Sequence, residues 1–207
     1  MPSPGFWNTA SAIAVSSQES DMVRIPAGTL VHPKNDTKIS IHAFFIGRHE
    51  ITQAQYEKVT GENFSFFKGA RRPVENVNWH EADAYCRKVG KRLPTEWEWE
   101  IAARAGTATR FYWGNSMDNA YAWHKNNAEK QTHPVGEKKP NAYGLYDMAG
   151  NVWEWTASDH ENGGKVQRGG SWRNSGISQR SSHRIMSNSL YRYHYVGFRC
   201  ARSTKPE

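Results

Sequence analysis

The segment from Asp147 to Glu154 carries one carboxylate on each side of a turn that contains Gly150. Carboxylate oxygens are hard ligands, and the backbone carbonyls of a turn can complete the oxygen shell that Ca²⁺ prefers. The spacing is not that of an EF-hand, and an ordinary polar turn is the alternative interpretation. The segment therefore predicts either a small calcium site or a turn held by hydrogen bonds.

The chain has two cysteines, Cys86 and Cys200, which lie far apart in the sequence. A disulfide between them would join the end of the chain to its helical half and would indicate an oxidising compartment. Two buried free thiols are equally compatible with the spacing. A thiol redox site is not expected, because the chain has no Cys-x-x-Cys pair.

The positive charge of the chain is concentrated near its C-terminus. The formal net charge is +7, and residues 166–207 hold eight basic residues against one acidic residue, interleaved with Trp and Tyr. Such a stretch attracts an anionic ligand, or its arginines pair with carboxylates elsewhere and stabilise the fold. No recognised nucleic-acid motif accompanies it, so nucleic acid is not an expected partner.

Three short helices are predicted to support these segments. Each begins at a capping box, in which a polar residue precedes Glu or Gln by three positions, and each stops at a glycine. The boxes are Thr52 with Gln55, Asn78 with Glu81 and Thr95 with Glu98, and the stops are Gly61, Gly90 and Gly106.

Short strands are predicted around the helices, and the second half of the chain reads as loop-rich, because Gly, Asn, Ser and aromatic residues replace any helical period. No run of about 18 apolar residues is present, so no transmembrane segment is expected. Residues 1–21 are predicted to be a flexible arm or the remnant of a processed leader, and residues 22–204 a single domain. The predicted strands are 22–28, 39–46, 132–136, 144–146, 152–156, 166–172 and 196–201.

Seven segments, in order, give the chain its resemblance to the formylglycine-generating enzyme, or sulfatase-modifying factor, family. The resemblance covers about residues 22 to 202 and implies an α+β domain: the family's variant of the C-type-lectin-like fold, loop-rich, with short antiparallel strands and about three short helices. The segments are 22–28, 50–56, 73–79, 91–100, 141–155, 168–172 and 196–200.

The same resemblance implies two structural sites. Cys86 and Cys200 match a disulfide of the family's secreted members, which implies an extracytoplasmic location, either periplasmic or secreted. Asp147 and Glu154 match calcium ligands through their side chains. Gly150 and Val152 match calcium ligands through their backbone carbonyls.

The chain departs from the family at the copper site. The enzymes of the family oxidise a substrate cysteine with copper held by two cysteine thiolates. The matching positions here are Asn174 and the segment 175–179, neither of which contains a cysteine. Soft thiolates select copper(I), and amide or hydroxyl groups do not replace them. Copper and the family's oxidase activity are therefore not expected.

The resemblance and the missing thiolates together predict a non-catalytic, extracytoplasmic binding or regulatory protein with another protein as its partner. A type VI secretion regulator and a retroelement-type variable protein are two examples on this scaffold. Tyr and Arg anchor many interfaces, and the C-terminal segment supplies both. The predicted ligand-binding residues are Trp172, Arg173, Asn174, His183, Arg184, Tyr191, Tyr193 and His194.

The alternative prediction is a maturation oxidoreductase of the same family with a non-thiolate active site. In that case, polar side chains of the C-terminal segment would cluster in one pocket. These are Ser171, Asn174, His183 and His194.

Overall fold

A computed structural model describes residues 21–32 and 34–204 of the chain, and within these ranges three α-helices and nine short strands form the regular structure. The predicted arm therefore lies outside the described residues, except for Asp21. The strands form three small sheets, and long irregular segments connect them. The α+β architecture with short strands and three helices confirms the predicted fold class.

The helices begin where their capping boxes predict. In each box the side chain of the cap accepts a hydrogen bond from the third backbone N–H, and the Glu or Gln side chain returns to the cap's own N–H. The longest helix has 10 residues, whereas a membrane-spanning helix needs about 20. No helix in the described ranges could therefore cross a bilayer. The helices are α1 (Gln53–Thr60), α2 (Trp79–Lys88) and α3 (Glu96–Arg104).

The first two sheets are formed mainly by the N-terminal strands. The three-stranded sheet has the order β1-β4-β9 and is antiparallel throughout, so the last strand of the domain pairs with one of the first. Strands β2 and β3 form a separate antiparallel hairpin. The bounds are β1 (Met22–Ile25), β2 (Gly28–Val31), β3 (Lys38–Ile41), β4 (Phe44–Gly47) and β9 (Ala201–Ser203).

The third sheet belongs to the loop-rich half and has the order β7-β6-β5-β8. Its pairs are antiparallel except β5 with β8, which run parallel. A single 3₁₀ turn, Gly176–Gln179, lies between β6 and β7. The strands are β5 (Trp153–Asp159), β6 (Lys165–Arg168), β7 (Arg184–Ser187) and β8 (Val196–Gly197).

Several strand predictions were wrong in detail. The predicted strands 39–46 and 196–201 are each interrupted, the first between β3 and β4 and the second between β8 and β9. The predicted strands 22–28 and 166–172 end early, at Ile25 and Arg168, and segments 132–136 and 144–146 are not strands. Their backbone N–H groups bond to side chains and irregular loops instead of to a neighbouring strand. The Val135 N–H donates to Arg71 O, for example, and the Leu145 N–H donates to Asn141 Oδ1.

The core consists of two clusters built around fully buried tryptophans. Trp99 of α3 packs with Ile46 and other apolar residues of the first sheet. Trp153 and Trp155 of β5 pack with Phe198 and with apolar residues of α2. Large rings supply much of the buried apolar area, which lets a loop-rich chain form a core.

Ion pairs, some of them fully buried, account for much of the C-terminal positive charge. Arg199 and Arg168 are fully buried, and they pair with Glu154 at 2.7 Å and Glu100 at 2.5 Å. Arg184 pairs with Glu96 and Glu161, and Arg192 pairs with Glu81. At least four of the seven C-terminal arginines therefore bind carboxylates from other parts of the described chain, as the structural interpretation of this charge predicts.

Cys86 of α2 and Cys200, next to β9, form a disulfide, with 5.7 Å between their Cα atoms. The bond confirms the predicted pairing and fastens the C-terminal strand to the helical half of the domain.

We expect the disulfide to contribute about 4–5 kcal/mol to the free energy of unfolding, because it closes a loop between residues 114 positions apart. The Cys86→Ala/Cys200→Ala variant should unfold at a lower urea concentration, and its free energy of unfolding should be lower by that amount. Dithiothreitol should destabilise the wild type and leave the variant unchanged. Equal stability of the two proteins under oxidising conditions would contradict this prediction.

Candidate functional site

Five of the eight predicted ligand-binding residues lie together, four of them in a chain of ring contacts and the fifth, Arg173, against one of these rings. Trp172 lies 5.6 Å from His194, which contacts Tyr195 at 5.4 Å, measured between ring centroids. Tyr195 stacks on Tyr193 at 5.0 Å, and Tyr193 contacts Tyr191 at 6.1 Å. With the residues described next, these form the aromatic surface: Phe64, Phe66, Phe67, Trp172, Arg173, Tyr191, Tyr193, His194 and Tyr195.

The loop that follows α1 extends the aromatic surface with phenylalanines that the sequence analysis missed. Phe66 lies 5.5 Å from His194, and Phe67 meets Trp172 edge-on at 5.5 Å. Phe66 is 69% exposed and Tyr191 55% exposed. The signal was an apolar run just beyond the helix stop at Gly61, where a polar loop is the usual composition.

Hydrogen bonds join the two loops of the aromatic surface to each other and to the start of α2. The Asn76 N–H donates to Tyr193 O at 3.0 Å, and its side-chain amide donates to Phe64 O at 3.0 Å. The Trp79 N–H, at the start of α2, donates to Ser189 O at 3.1 Å. The exposed rings therefore project from loops that are anchored to a helix.

The charge on the aromatic surface is carried by Arg173. Its guanidinium lies 4.5 Å from the centre of the Tyr195 ring, a cation–π contact. Burial and the nearby Arg173 lower the pKa of His194, so this imidazole is neutral at pH 7. The surface thus combines exposed rings with a single exposed guanidinium.

Asn174 lies beneath the aromatic surface. Its Oδ1 accepts hydrogen bonds from the buried Trp153 indole at 2.8 Å and from the Ser171 hydroxyl at 2.6 Å. At this position the resemblance implies a copper-binding thiolate in the oxidising members. Here the side chain holds a core tryptophan in place.

His183 and Arg184 lie elsewhere. Arg184 pairs with Glu96 at 3.0 Å and Glu161 at 2.6 Å. Both residues line a separate cavity of about 340 Å³ together with Lys34 and Glu161. The His183 ring contacts the Trp153 ring at 5.8 Å.

The four residues of the alternative active site also divide between places. Ser171 bonds to Asn174, whereas His194 is part of the aromatic surface and His183 lines the cavity beside Arg184. In the described part of the chain, the hydrogen-bond partner of the Ser171 hydroxyl is therefore an amide and not a histidine base.

Glu154, one of the predicted calcium ligands, is fully buried in a bidentate ion pair. Its oxygens accept hydrogen bonds from Arg199 Nε at 2.7 Å and Arg199 Nη2 at 2.8 Å, and Oε2 also accepts one from the Trp99 indole at 2.8 Å. Coordination of calcium by Glu154 would have to replace one of these bonds.

Asp147, the other predicted carboxylate ligand, is also buried and accepts a hydrogen bond from the Gly136 N–H at 2.7 Å. Burial raises its pKa to about 6. Burial, Asp147 and Glu154 together raise the pKa of the neighbouring Glu50. Three buried carboxylates thus share one guanidinium, that of Arg199, so the cluster carries excess negative charge when all three are ionised.

The predicted calcium ligands share this buried cluster but do not by themselves make a carboxylate-rich site. Nowhere in the described ranges are three or more His, Cys, Asp or Glu side chains arranged to hold a metal ion. The predicted set has two carboxylates, and its other members, Gly150 and Val152, offer backbone carbonyls. Calcium binding stays a prediction.

Comparison with known proteins gives a family and several similar proteins. The sulfatase-modifying factor enzyme 1-like domain matches residues 9–204. The chain is 31% identical to chaperone protein LppX of Paenibacillus barcinonensis, over 73% of this chain and 78% of that protein. It is 36% identical to the inactive C-alpha-formylglycine-generating enzyme 2 of Mus musculus, over 74% of this chain and 56% of that protein. The chain thus spans little more than half of the mouse protein.

A solved structure shows the same architecture. Treponema denticola variable protein 1 superposes with a TM-score of 0.79 and 30% sequence identity, over 88% of this chain and 95% of that one. The agreement therefore covers most of the chain.

Glu75 lies directly behind the aromatic surface, and we expect its burial to make the stability of the fold depend on pH. This fully buried side chain accepts a hydrogen bond from the Phe67 N–H at 2.8 Å, and its Oε2 has no partner among the described residues. Burial raises its pKa to about 7. The native state therefore keeps a proton that the unfolded chain loses near pH 4.3.

We expect the stabilisation from protonated Glu75 to be complete below about pH 4.3 and to be lost as the pH rises through about 7. In urea unfolding, the free energy of unfolding of Glu75→Gln should rise relative to that of the wild type by up to about 3 kcal/mol from pH 5 to pH 8. Exposed Glu57→Gln is the control and should follow the wild-type profile. Parallel profiles for Glu75→Gln and wild type would contradict the prediction.

Proposed function

The chain belongs to the sulfatase-modifying factor family, and we propose that it is a binding protein that recognises a protein partner through the aromatic surface. The observation that carries this proposal is the group of exposed rings on two anchored loops. Phe64, Phe66 and Tyr191 are 49%, 69% and 55% exposed. Contiguous exposed apolar side chains mark interaction sites, and aromatic residues with arginine dominate the binding energy of many interfaces.

The absence of a free thiol supports binding rather than the oxidation that the family resemblance implies. The chain has two cysteines, and both form the Cys86–Cys200 disulfide. A copper(I) site built from thiolates therefore has no ligand here. Asn174, at a position implied for such a ligand, holds Trp153 instead.

The names of two similar proteins also support a binding function. One protein that is 36% identical is named an inactive formylglycine-generating enzyme. A structure that shares the fold over most of the chain is named a variable protein. The scaffold thus occurs in proteins whose names do not describe oxidation.

The compartment we propose is extracytoplasmic. Disulfides persist where the environment is oxidising and are rare where glutathione and thioredoxin keep thiols reduced. The buried Cys86–Cys200 bond joins α2 to the last strand, which makes the disulfide part of the fold's own support.

We also propose calcium as a structural ion at Asp147 and Glu154, with the carbonyls of Gly150 and Val152. The support is electrostatic: Asp147, Glu154 and Glu50 are buried around the single guanidinium of Arg199. A divalent cation would offset the remaining negative charge, and oxygen is the donor that calcium prefers.

If calcium binds there, adding it should raise the melting temperature of the wild type, and EDTA should reverse the effect. At a free calcium concentration of 100 times the Kd, binding should stabilise the folded state by about 2.7 kcal/mol. Asp147→Asn keeps the side-chain shape and removes the charge, so its melting temperature should not respond to calcium. A wild type that is equally indifferent to calcium and EDTA would leave the cluster an internal ion pair and refute the proposal.

The proposed interface is tested by capturing a partner from an extracytoplasmic extract and measuring its affinity as a purified protein. Replacing Phe66 by Ser or Tyr193 by Ala should weaken binding by about 30-fold each, the effect of losing an interface anchor worth about 2 kcal/mol. The measurement is the Kd by calorimetry or surface plasmon resonance.

Two variants control this experiment. Val31→Ser removes an equally exposed apolar side chain, 58% exposed, from β2. Arg184→Ala removes ion pairs with Glu96 and Glu161, so it should lower the melting temperature without changing the Kd. Unchanged affinity in both Phe66→Ser and Tyr193→Ala would move the interface elsewhere, and failure to capture any partner would count against a protein ligand.

A further inference from the structure

A cavity of about 420 Å³ lies apart from the aromatic surface. It is lined by Arg48 and His49, which follow β4, by Arg71 before α2, by Lys91 after α2 and by Tyr146 from the loop before β5. None of these residues belongs to the aromatic surface. The volume falls within the range of pockets that hold small molecules, about 300–1,000 Å³.

The three cations of this cavity form no close ion pair within the part of the chain that the structure describes. In the described ranges, no carboxylate lies within 4.0 Å of the charged nitrogens of Arg48, Arg71 or Lys91, whereas Arg168, Arg184, Arg192 and Arg199 are all paired. The fold thus uses most of its C-terminal arginines internally and leaves three cations gathered around one cavity.

The hydrogen bonds of these cations leave donors available. Arg48 donates through Nη1 to Gly144 O at 3.1 Å, and Arg71 donates through Nη2 to Val135 O at 3.5 Å. A guanidinium has five N–H donors, so each arginine keeps several for a ligand. Lys91 is half-buried, and burial lowers its pKa, which shows that its ammonium group has lost part of its hydration.

Two carboxylates, Asp21 and Glu50, also line the cavity and offset part of its positive charge. Asp21 is exposed and contributes one negative charge. The Glu50 oxygens accept hydrogen bonds from the Asn151 side-chain amide at 2.7 Å and the Val152 N–H at 3.2 Å, so this carboxylate is engaged by the segment before β5. Three cations against two carboxylates still leave the cavity with a positive charge.

One wall of the cavity is flat and fixed. The His49 and Tyr146 rings stack with centroids 4.9 Å apart. Burial, followed by the charge of Arg199, lowers the pKa of His49 to about 4, so the imidazole is neutral at pH 7. Gly136 has a φ of 80°, and a Cβ there would lie 3.0 Å from His49 Nε2, which shows how closely the loop packs on the ring.

We propose that this cavity binds a small-molecule anion that carries carboxylate or phosphate groups. Arg48 and Arg71 supply guanidinium groups, which bind both kinds of oxyanion through paired N–H donors, and Lys91 adds a partly desolvated point charge. The neutral rings of His49 and Tyr146 provide an apolar face for the rest of the molecule. The site is independent of the proposed protein interface.

The test is calorimetric titration of the full chain in 50 mM NaCl with three probes: inorganic phosphate, pyrophosphate and citrate. We expect at least one probe to bind, and its identity distinguishes phosphate from carboxylate recognition. Arg71→Gln/Lys91→Gln should weaken that binding at least tenfold, and 0.5 M NaCl should weaken it in the wild type. Arg71→Gln alone changes an exposed residue and should give a smaller loss.

The matched control is Lys58→Gln/Lys125→Gln, which removes two exposed positive charges that do not line the cavity. It should bind the probe as the wild type does. Absence of binding for all three probes, or equal affinity of the wild type and the cavity variant, would overturn the proposal. A similar loss in the control would also overturn it, since attraction would then reflect net charge alone.

Discussion

The buried ion pair between Arg199 and Glu154 is the interaction on which the rest of the fold depends. Arg199 lies just before Cys200, and its guanidinium also donates to the backbone carbonyls of Gly47, Arg48 and Tyr146. The Glu154 carboxylate also accepts the Trp99 indole N–H from the other core cluster. One buried contact thus joins both core clusters and the first and third sheets. Removing one partner of such a pair costs about 3–5 kcal/mol, because an uncompensated charge stays buried.

This constraint decides which charged groups can serve a ligand. Chains with long irregular segments need interactions that hold those segments in place. Here these interactions are buried arginine–carboxylate pairs together with the disulfide. An arginine held in this way has little freedom to bind anything else. The side chains left for recognition are therefore the exposed rings of Phe66 and Tyr191, and cations such as Arg71 that form no ion pair with a carboxylate of the described residues.

The sequence allowed the helices, the fold class and the disulfide to be predicted, because capping boxes are local and the family segments cover most of the chain. Its predictions failed where hydrogen-bond partners are distant. Segment 132–136 alternates like a strand, yet its N–H groups bond to Arg71, Asp147 and Asn151. Arg184 was grouped with the C-terminal ligand residues, although its partners are Glu96 and Glu161. Phe66 and Phe67 were missed because they join the surface from a loop more than 100 residues upstream.

Asn174 stands where the family resemblance implies a thiolate in the oxidising members, and its contacts are compatible with the binding surface proposed for this part of the scaffold. Asn174 Oδ1 accepts hydrogen bonds from the Trp153 indole and the Ser171 hydroxyl, so this side chain supports the core. The turn itself is tightly fixed, since Gly170 has a φ of 77° and a Cβ there would lie 2.8 Å from Ser178 O. The backbone conformation of this turn is thus fixed by packing and hydrogen bonds on its core side. Side chains that point outward from the same turn, Arg173 among them, can change without disturbing that support, which is what a recognition surface requires.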